Sequence, residues 1–194
     1  AKEHTNCIYR GTMEGRGQGK AEREAIQHAT MKVMGCQKTI SKSATPCDLT
    51  LRQVYDFAVN TPIDELLFIN ESRQLNENAA NEALKGNFGH CLGKTLSRPL
   101  GRGIMGDSIF SHILSKTSAA CDARMAGAKI HVMSNSGSGN QGIAATLPVV
   151  VFAEENHNTE EELTRALVLS HLTAIYIKQS LGRLSALCGC VVAS

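Results

Sequence analysis

Ser134-Asn135-Ser136-Gly137-Ser138-Gly139-Asn140-Gln141-Gly142 lies between two apolar segments, Ile130-His131-Val132-Met133 and Ile143-Ala144-Ala145-Thr146-Leu147-Pro148-Val149-Val150-Val151. Its three glycines let the backbone turn tightly and bring N–H groups close to a ligand. Ser138 and Gln141 stand three apart, the spacing of a capping box, which predicts a helix that starts near Gly139. A polar, glycine-rich loop at a helix N-terminus is an anion site for a carboxylate or a phosphate. The same composition also describes an ordinary connecting loop. Within the stretch no Lys follows a glycine as in a Walker-type loop. Neutral donors suit an amino-acid carboxylate better than a triphosphate.

Working outward, helical patterns dominate. Residues 4–13 read as a strand, 14–19 as a turn and 20–35 as a helix. Asp48 or Thr50 caps a helix carrying Leu51, Val54, Tyr55, Phe57 and Ala58. Thr61-Pro62 restarts a helix with Leu66, Leu67 and Ile69. Asn76 or Asn78 opens another that ends at Gly86. Residues 86–103 read as loop with a short helix over 88–97. Asp107 opens a long helix whose Ala119, Ala120 and Ala123 predict tight helix packing. Pro148 is expected to kink the helix after the glycine loop. Asn158 or Thr159 caps a helix with Glu160, Glu161 and Glu162 in its first turn, apolar nearly all round beyond them and therefore buried. Ser180 to Arg183 is a turn, and a last helix starts around Leu184.

The bulk composition agrees. Hydrophobic residues are 42% and charged residues 20% of the 194, too apolar for disorder. Aromatic residues are 4% and Trp is absent, so the core must be built from Ala, Leu, Ile, Val and Met, which favours packed helices over a sandwich. The fold class expected is α+β, predominantly α-helical, with a small β element at the N-terminal end. The chain reads as one partial domain over 1–194, with a small β and variable region over 1–47 and a helical core over 48–194. It begins without Met and stops inside an apolar run, so it is expected to be a fragment of a longer protein. A net charge of +2 calls for neither nucleic acid nor an anionic membrane. No signal peptide or spanning run is present, so a cytoplasmic location is expected. Seven Cys without repeated pairs then read as thiols or ligands rather than a disulfide framework.

Individual residues are less decisive. Cys188 and Cys190 lie in an apolar helical segment, where free Cys usually behaves as a small hydrophobe, and positions two apart face different ways on a helix. His4-Thr5-Asn6 places a titratable ring at a strand end. His171, on the buried helix, reads as a satisfied core residue. Asp122 and Arg124 read as an ion pair or a solvated helix end. Lys94 and Lys116 are amines with nothing near them in sequence that argues for a Schiff base.

Three segments together resemble a known family. They are His4-Thr5-Asn6, the stretch from Ser118 to Met125 running on to Ser134–Gly142, and Ser170-His171-Leu172-Thr173-Ala174-Ile175-Tyr176-Ile177 followed by Leu184-Ser185-Ala186-Leu187-Cys188. They are similar to the bacterial L-cysteine desulfidases, which belong with the α-chain of iron–sulfur L-serine dehydratases. The likeness covers nearly the whole chain except residues 14–47. It implies a lyase that breaks L-cysteine into hydrogen sulfide, ammonia and pyruvate, with a [4Fe–4S] cluster and no pyridoxal phosphate. An open iron acts as Lewis acid on the leaving group, a base takes the α-proton, and the enamine product hydrolyses. By the same resemblance Cys188 is the cluster ligand, with Cys190 weaker. The substrate carboxylate or ammonium is held by Ser134, Asn135, Ser136, Gly137, Ser138, Gly139, Asn140 and Gln141. His4, Thr5 and Asn6 form a pocket wall, and the catalytic base is unassigned. With the other cluster ligands outside residues 1–194, the fragment alone is expected to be inactive. The partner expected is a small amino acid, L-cysteine or L-serine, and self-association into a homo-oligomer is left open. The alternatives are an L-serine dehydratase-type lyase, a non-catalytic amino-acid-binding module, and a structural piece in which the glycine loop is only a turn.

Overall fold

Helix α6 (Gly139–Glu155) is the axis of the molecule, and ten of its residues, from Gly139 to Ala153, are buried. The computed structural model describes residues 8–12 and 49–181. In chain order they form β1 (Ile8–Thr12), α1 (Leu51–Asn60), two 3₁₀ turns (Ile63–Glu65 and Leu67–Ile69), α2 (Asn70–Lys85), α3 (Leu92–Leu96), α4 (Pro99–Met105), α5 (Ile109–Met125), β2 (His131–Asn135), α6 and α7 (Glu160–Leu181). The class is the expected one, predominantly helical with a small β element. β1 pairs antiparallel with β2 from Ile8 opposite Asn135 to Thr12 opposite His131, so the β partner comes from the middle of the chain.

Helices α2, α5 and α7 and strand β2 pack around α6. Helices α5 and α6 run antiparallel: Arg124 reaches Asn140 at one end, while at the other Lys116 pairs with Glu154 at 2.7 Å and His112 with Glu155 at 2.6 Å. The core is aliphatic, as the composition requires. Leu66, Ile69, Val150, Leu163, Leu167 and Leu172 form one cluster, and Ala79, Ala80, Ala120, Val132, Ile143 and Leu147 a second. The small residues of α5 serve close packing: a Cβ on Gly93 would collide with Ser115 O and Ala119, and Ser115 Oγ donates to Gly93 O at 2.8 Å. Arg165 of α7 closes α1 by donating to the carbonyls of Ala58, Val59 and Thr61, each at 2.9 Å. Among the described residues no helix is long and apolar enough to cross a membrane.

Several boundaries differ from the sequence expectation. Thr50 caps α1 in a full capping box with Gln53, but Thr61-Pro62 restarts only a 3₁₀ turn. Helix α2 begins at Asn70, and Asn76 is not a cap but a buried residue inside it. Ser72, Asn76, Ala79, Ala80 and Ala83 recur at the helical period and form its inward face, with polar groups where apolar ones are usual. Residues 86–103 hold two short helices, the second with Pro99 in its first turn. Ser108, rather than Asp107, caps α5 through Ser111, and Asp107 instead meets His112 Nε2 at 2.8 Å. Helix α6 continues through Pro148 to Glu155. Thr159, one of the two expected residues, caps α7, and Glu162 completes the box, with Glu162 Oε2 accepting the Thr159 N–H at 2.8 Å and Thr159 Oγ1 the Glu162 N–H at 3.3 Å. The expected helices over 20–35 and from Leu184 lie outside the described residues, as does most of the 1–47 region.

Candidate functional site

The glycine stretch folds as strand, turn and helix start. Ser136 and Gly137 both have positive φ, 49° and 79°, as a type I′ turn demands. Asn135 and Ser138 exchange both backbone hydrogen bonds, at 3.0 and 2.9 Å. Ser138 is the N-cap of α6, its Oγ accepting the Gln141 N–H at 3.3 Å. This agrees with the helix start read from the Ser138–Gln141 spacing. The Gln141 side chain does not complete the box. It runs inward and donates from Nε2 to Asn135 Oδ1 at 3.0 Å.

Much of the expected donor set is therefore engaged internally. The Asn135 and Ser138 N–H groups close the turn, and the Ser136 hydroxyl donates to Asn135 Oδ1 at 2.9 Å. The N–H groups of Ser136, Gly137, Gly139 and Asn140 have no partner among the described residues. Ser134, also expected at the site, is buried within β2. Arg124, at the end of α5, lies over the first turn of α6. A Cβ on Gly139 would run into its guanidinium, and its Nη1 donates to Asn140 Oδ1 at 3.0 Å. Arg124 is thus not the ion-pair partner of Asp122, which accepts the Leu92 N–H at 2.7 Å at the start of α3. A guanidinium beside free first-turn N–H groups is a favourable place for a carboxylate.

Beneath the turn runs a chain of buried polar groups. Asn135 Nδ2 donates to the His171 carbonyl at 2.9 Å and faces His171 Nδ1 at 3.2 Å. A carbonyl can only accept, so the Asn135 amide orientation is fixed and Nδ1 is the accepting nitrogen. The proton of neutral His171 is then on Nε2, which meets Thr146 Oγ1 at 3.0 Å. Thr146 donates to Gly142 O at 2.7 Å and also accepts from Asn76 Nδ2 at 2.9 Å. Asn76 Nδ2 donates to Gly142 O as well, at 3.2 Å, and Asn76 Oδ1 accepts the Met133 N–H at 2.9 Å. Helices α2, α6 and α7 are thereby tied to β2 by directional bonds in a low-dielectric interior.

Burial pushes the His171 imidazolium pKa down to about 4. Both ring nitrogens are used and the ring is fully buried, so in this arrangement it supports the site rather than taking a substrate proton. A folded pKa below the unfolded value of about 6.5 means that the unfolded chain binds more protons between the two. Stability is full above pH 6.5 and falls as pH drops toward 4. The difference between wild type and His171→Gln is expected to shrink by up to about 3 kcal/mol over that window. Urea titrations of both proteins from pH 7 to 4.5 measure it. A constant difference would mean that His171 is not buried neutral.

Sequence reading makes His171 a satisfied core residue without naming its partners, does not single out Asn76 or Thr146 for the site, and takes Arg124 only as an ion pair or a solvated helix end. The signal available was the polar residue on an otherwise small-residue face of α2. His4, Thr5, Asn6 and the expected cluster ligand Cys188 lie outside the described residues, as does Cys190. The chain enters β1 at Ile8, opposite Asn135. Lys94 donates to Gly86 O and Asn87 Oδ1, both at 2.8 Å, and Lys116 pairs with Glu154, so both amines have structural partners. Among the described residues no group of three His, Cys, Asp or Glu side chains could hold a metal ion, and the free cysteines there are Cys91 and Cys121.

A family model described as serine dehydratase alpha chain matches residues 18–194. A UPF0597 protein of Phocaeicola vulgatus is 68% identical over 98% of this chain and 41% of its own length. Others from Bacteroides thetaiotaomicron and Porphyromonas gingivalis are 72% and 48% identical, over 76% and 100% of this chain and 34% and 43% of their own lengths. The chain spans about two fifths of the length of these relatives. No solved structure matches.

Proposed function

The chain belongs to the serine dehydratase alpha chain family, and on that premise we propose that the turn at the start of α6 is the amino-acid clamp of a lyase acting on L-cysteine. The observation that supports this is the convergence of the Arg124 guanidinium with the N–H groups of Gly139 and Asn140, which have no partner among the described residues. Together they offer a carboxylate a charge and two aligned donors. The reaction is an α,β-elimination. A base removes the α-proton, the electron pair forms the Cα–Cβ double bond, and the thiol leaves as sulfide. The aminoacrylate then tautomerises and hydrolyses to pyruvate and ammonia. In the serine version the same clamp holds the substrate and a hydroxyl leaves.

The [4Fe–4S] cluster implied by the family resemblance does not fit the described residues, because neither the two cysteines nor any acid–histidine group among them forms a ligand set. In this reading the described elements bind and orient the amino acid, and Cys188 is the cluster ligand this chain contributes.

The test is sulfide, ammonia and pyruvate release by the anaerobically reconstituted full-length protein, with L-cysteine against L-serine. Equal amounts of sulfide and pyruvate from L-cysteine are expected. Pyruvate from L-serine alone would favour the dehydratase, and amino-acid binding without turnover a sensor module. In the active protein, Arg124→Met or Asn140→Ala is expected to cost about 1.5–3 kcal/mol of substrate binding, roughly a tenfold to hundredfold rise in KM. An unchanged KM in both would leave the turn a structural connection only.

A further inference from the structure

The Arg124 guanidinium has a second neighbour besides Asn140. Its Nη1 stands 3.5 Å from Sδ of Met125, the next residue and the last of α5. Met125 is 68% exposed, whereas Met133 is buried beneath the turn and Met105, on α4, is 39% exposed. An exposed thioether is open to two-electron oxidation, which turns a flexible apolar side chain into a polar one. The sulfur itself is a weak acceptor, so the neutral contact leaves Arg124 held by Asn140 Oδ1 at 3.0 Å. No carboxylate among the described residues pairs with Arg124, because Asp122 is turned to the Leu92 N–H. The charge at the turn is therefore free for a ligand, and the atom beside it is one whose accepting power chemistry can change.

We propose that Met125 is a modification site, and that its oxidation to the sulfoxide by a peroxide weakens the hold of Arg124 on a carboxylate. The sulfur lone pair attacks one peroxide oxygen, an S–O bond forms, the O–O bond breaks, and the other oxygen leaves as water with both peroxide protons. The thioether loses two electrons and the peroxide gains them. The new oxygen sits on a sulfur already 3.5 Å from Nη1. It accepts from the guanidinium and competes there with the substrate carboxylate. Arg124 keeps its charge, so the loss is that of one hydrogen bond, and binding is weakened rather than abolished. Enzymatic reduction of the sulfoxide restores the thioether and the affinity. This inference rests on the amino-acid reading of the turn.

Calorimetric titration of the full-length protein with L-alanine, which has no leaving group, tests it before and after treatment with hydrogen peroxide. Mass spectrometry reads which methionines carry oxygen. Oxidised wild type is expected to bind L-alanine about threefold to tenfold more weakly, the weight of one hydrogen bond. Met125→Leu keeps all seven cysteines and every other methionine of the chain, and is expected to bind it equally before and after. Methionine sulfoxide reductase is expected to restore the wild-type affinity. Equal affinity with the Met125 sulfoxide formed, or the same loss in Met125→Leu, overturns the proposal and leaves the clamp reading standing. So does a Met125 that stays unoxidised while Met105 is converted. Failure of untreated wild type to bind L-alanine overturns the clamp reading, and the Arg124 side-chain Nε resonance, assigned by its loss in Arg124→Met, then decides the rest. A shift on oxidation in wild type but not in Met125→Leu upholds the sulfoxide–guanidinium contact, and no shift overturns that as well.

Discussion

Gly142→Ala is expected to lower the unfolding free energy by more than about 3 kcal/mol, although Ala is the better helix former by roughly 1 kcal/mol. A Cβ at this position would overlap the Met133 carbonyl oxygen and stand 2.7 Å from Ser134 Cα. Both obstacles are backbone, so no rotamer change relieves them. Strand β2 cannot simply retreat, because its far side is paired with β1 and the Met133 N–H is held by Asn76 Oδ1 at 2.9 Å. Moving α6 instead would pull Thr146 away from His171 and Gln141 away from Asn135. Denaturant unfolding measures the effect, and a loss under about 1 kcal/mol would show that the strand and helix are less tightly coupled than their spacing implies. Gly137→Ala is a useful contrast. Nothing lies within 4 Å of its added Cβ, and only the positive φ of 79° opposes it, so about 1 kcal/mol is expected.

The contrast between these two glycines shows what the sequence made legible. The Ser138-Gly139-Asn140-Gln141 run marks a helix start through local chemistry alone, since a cap needs only its own four residues. The turn at Ser136-Gly137 is equally local. The need for glycine at 142 is not, because it depends on a strand passing underneath, and Ile130-His131-Val132-Met133 shows no alternation to announce that strand. Asn76 reads as a helix start for a related reason. Asn favours caps and turns when its partners are nearby in sequence, but here they are Met133, Gly142 and Thr146, at least 57 residues away. His171 reads as buried and satisfied from its place on an apolar helix. Its partners were invisible, because they come from β2 and α6. Arg124 reads as a helix-end charge until α6 is seen to begin beneath it. The local signals therefore placed the turn at the start of α6, and the long-range polar contacts that hold its shape emerged only with the fold.

The support for the turn is most exposed at Asn76, and Asn76→Ala is expected to destabilise the protein by about 3–4 kcal/mol. The substitution removes three hydrogen bonds, but their losses are unequal. Gly142 O keeps the Thr146 hydroxyl, and Thr146 Oγ1 keeps the His171 Nε2 proton. Met133 N–H keeps nothing in place of Asn76 Oδ1, so a buried donor is left unpaired between β2 and α2. The missing carboxamide also leaves a void on a helix face otherwise built from Ser72, Ala79, Ala80 and Ala83, too small to collapse into it. Thr146→Val alone strands the His171 proton and the Asn76 donor together. If the groups act as one network, the two substitutions are not additive: the double variant is expected to be more stable than the sum predicts by about 1 kcal/mol or more. Denaturant unfolding of the four proteins gives that coupling. Strict additivity would reduce the network to separate contacts, and the turn at Asn135–Ser138 would then owe its geometry to its own two residues of positive φ rather than to the bonds beneath it.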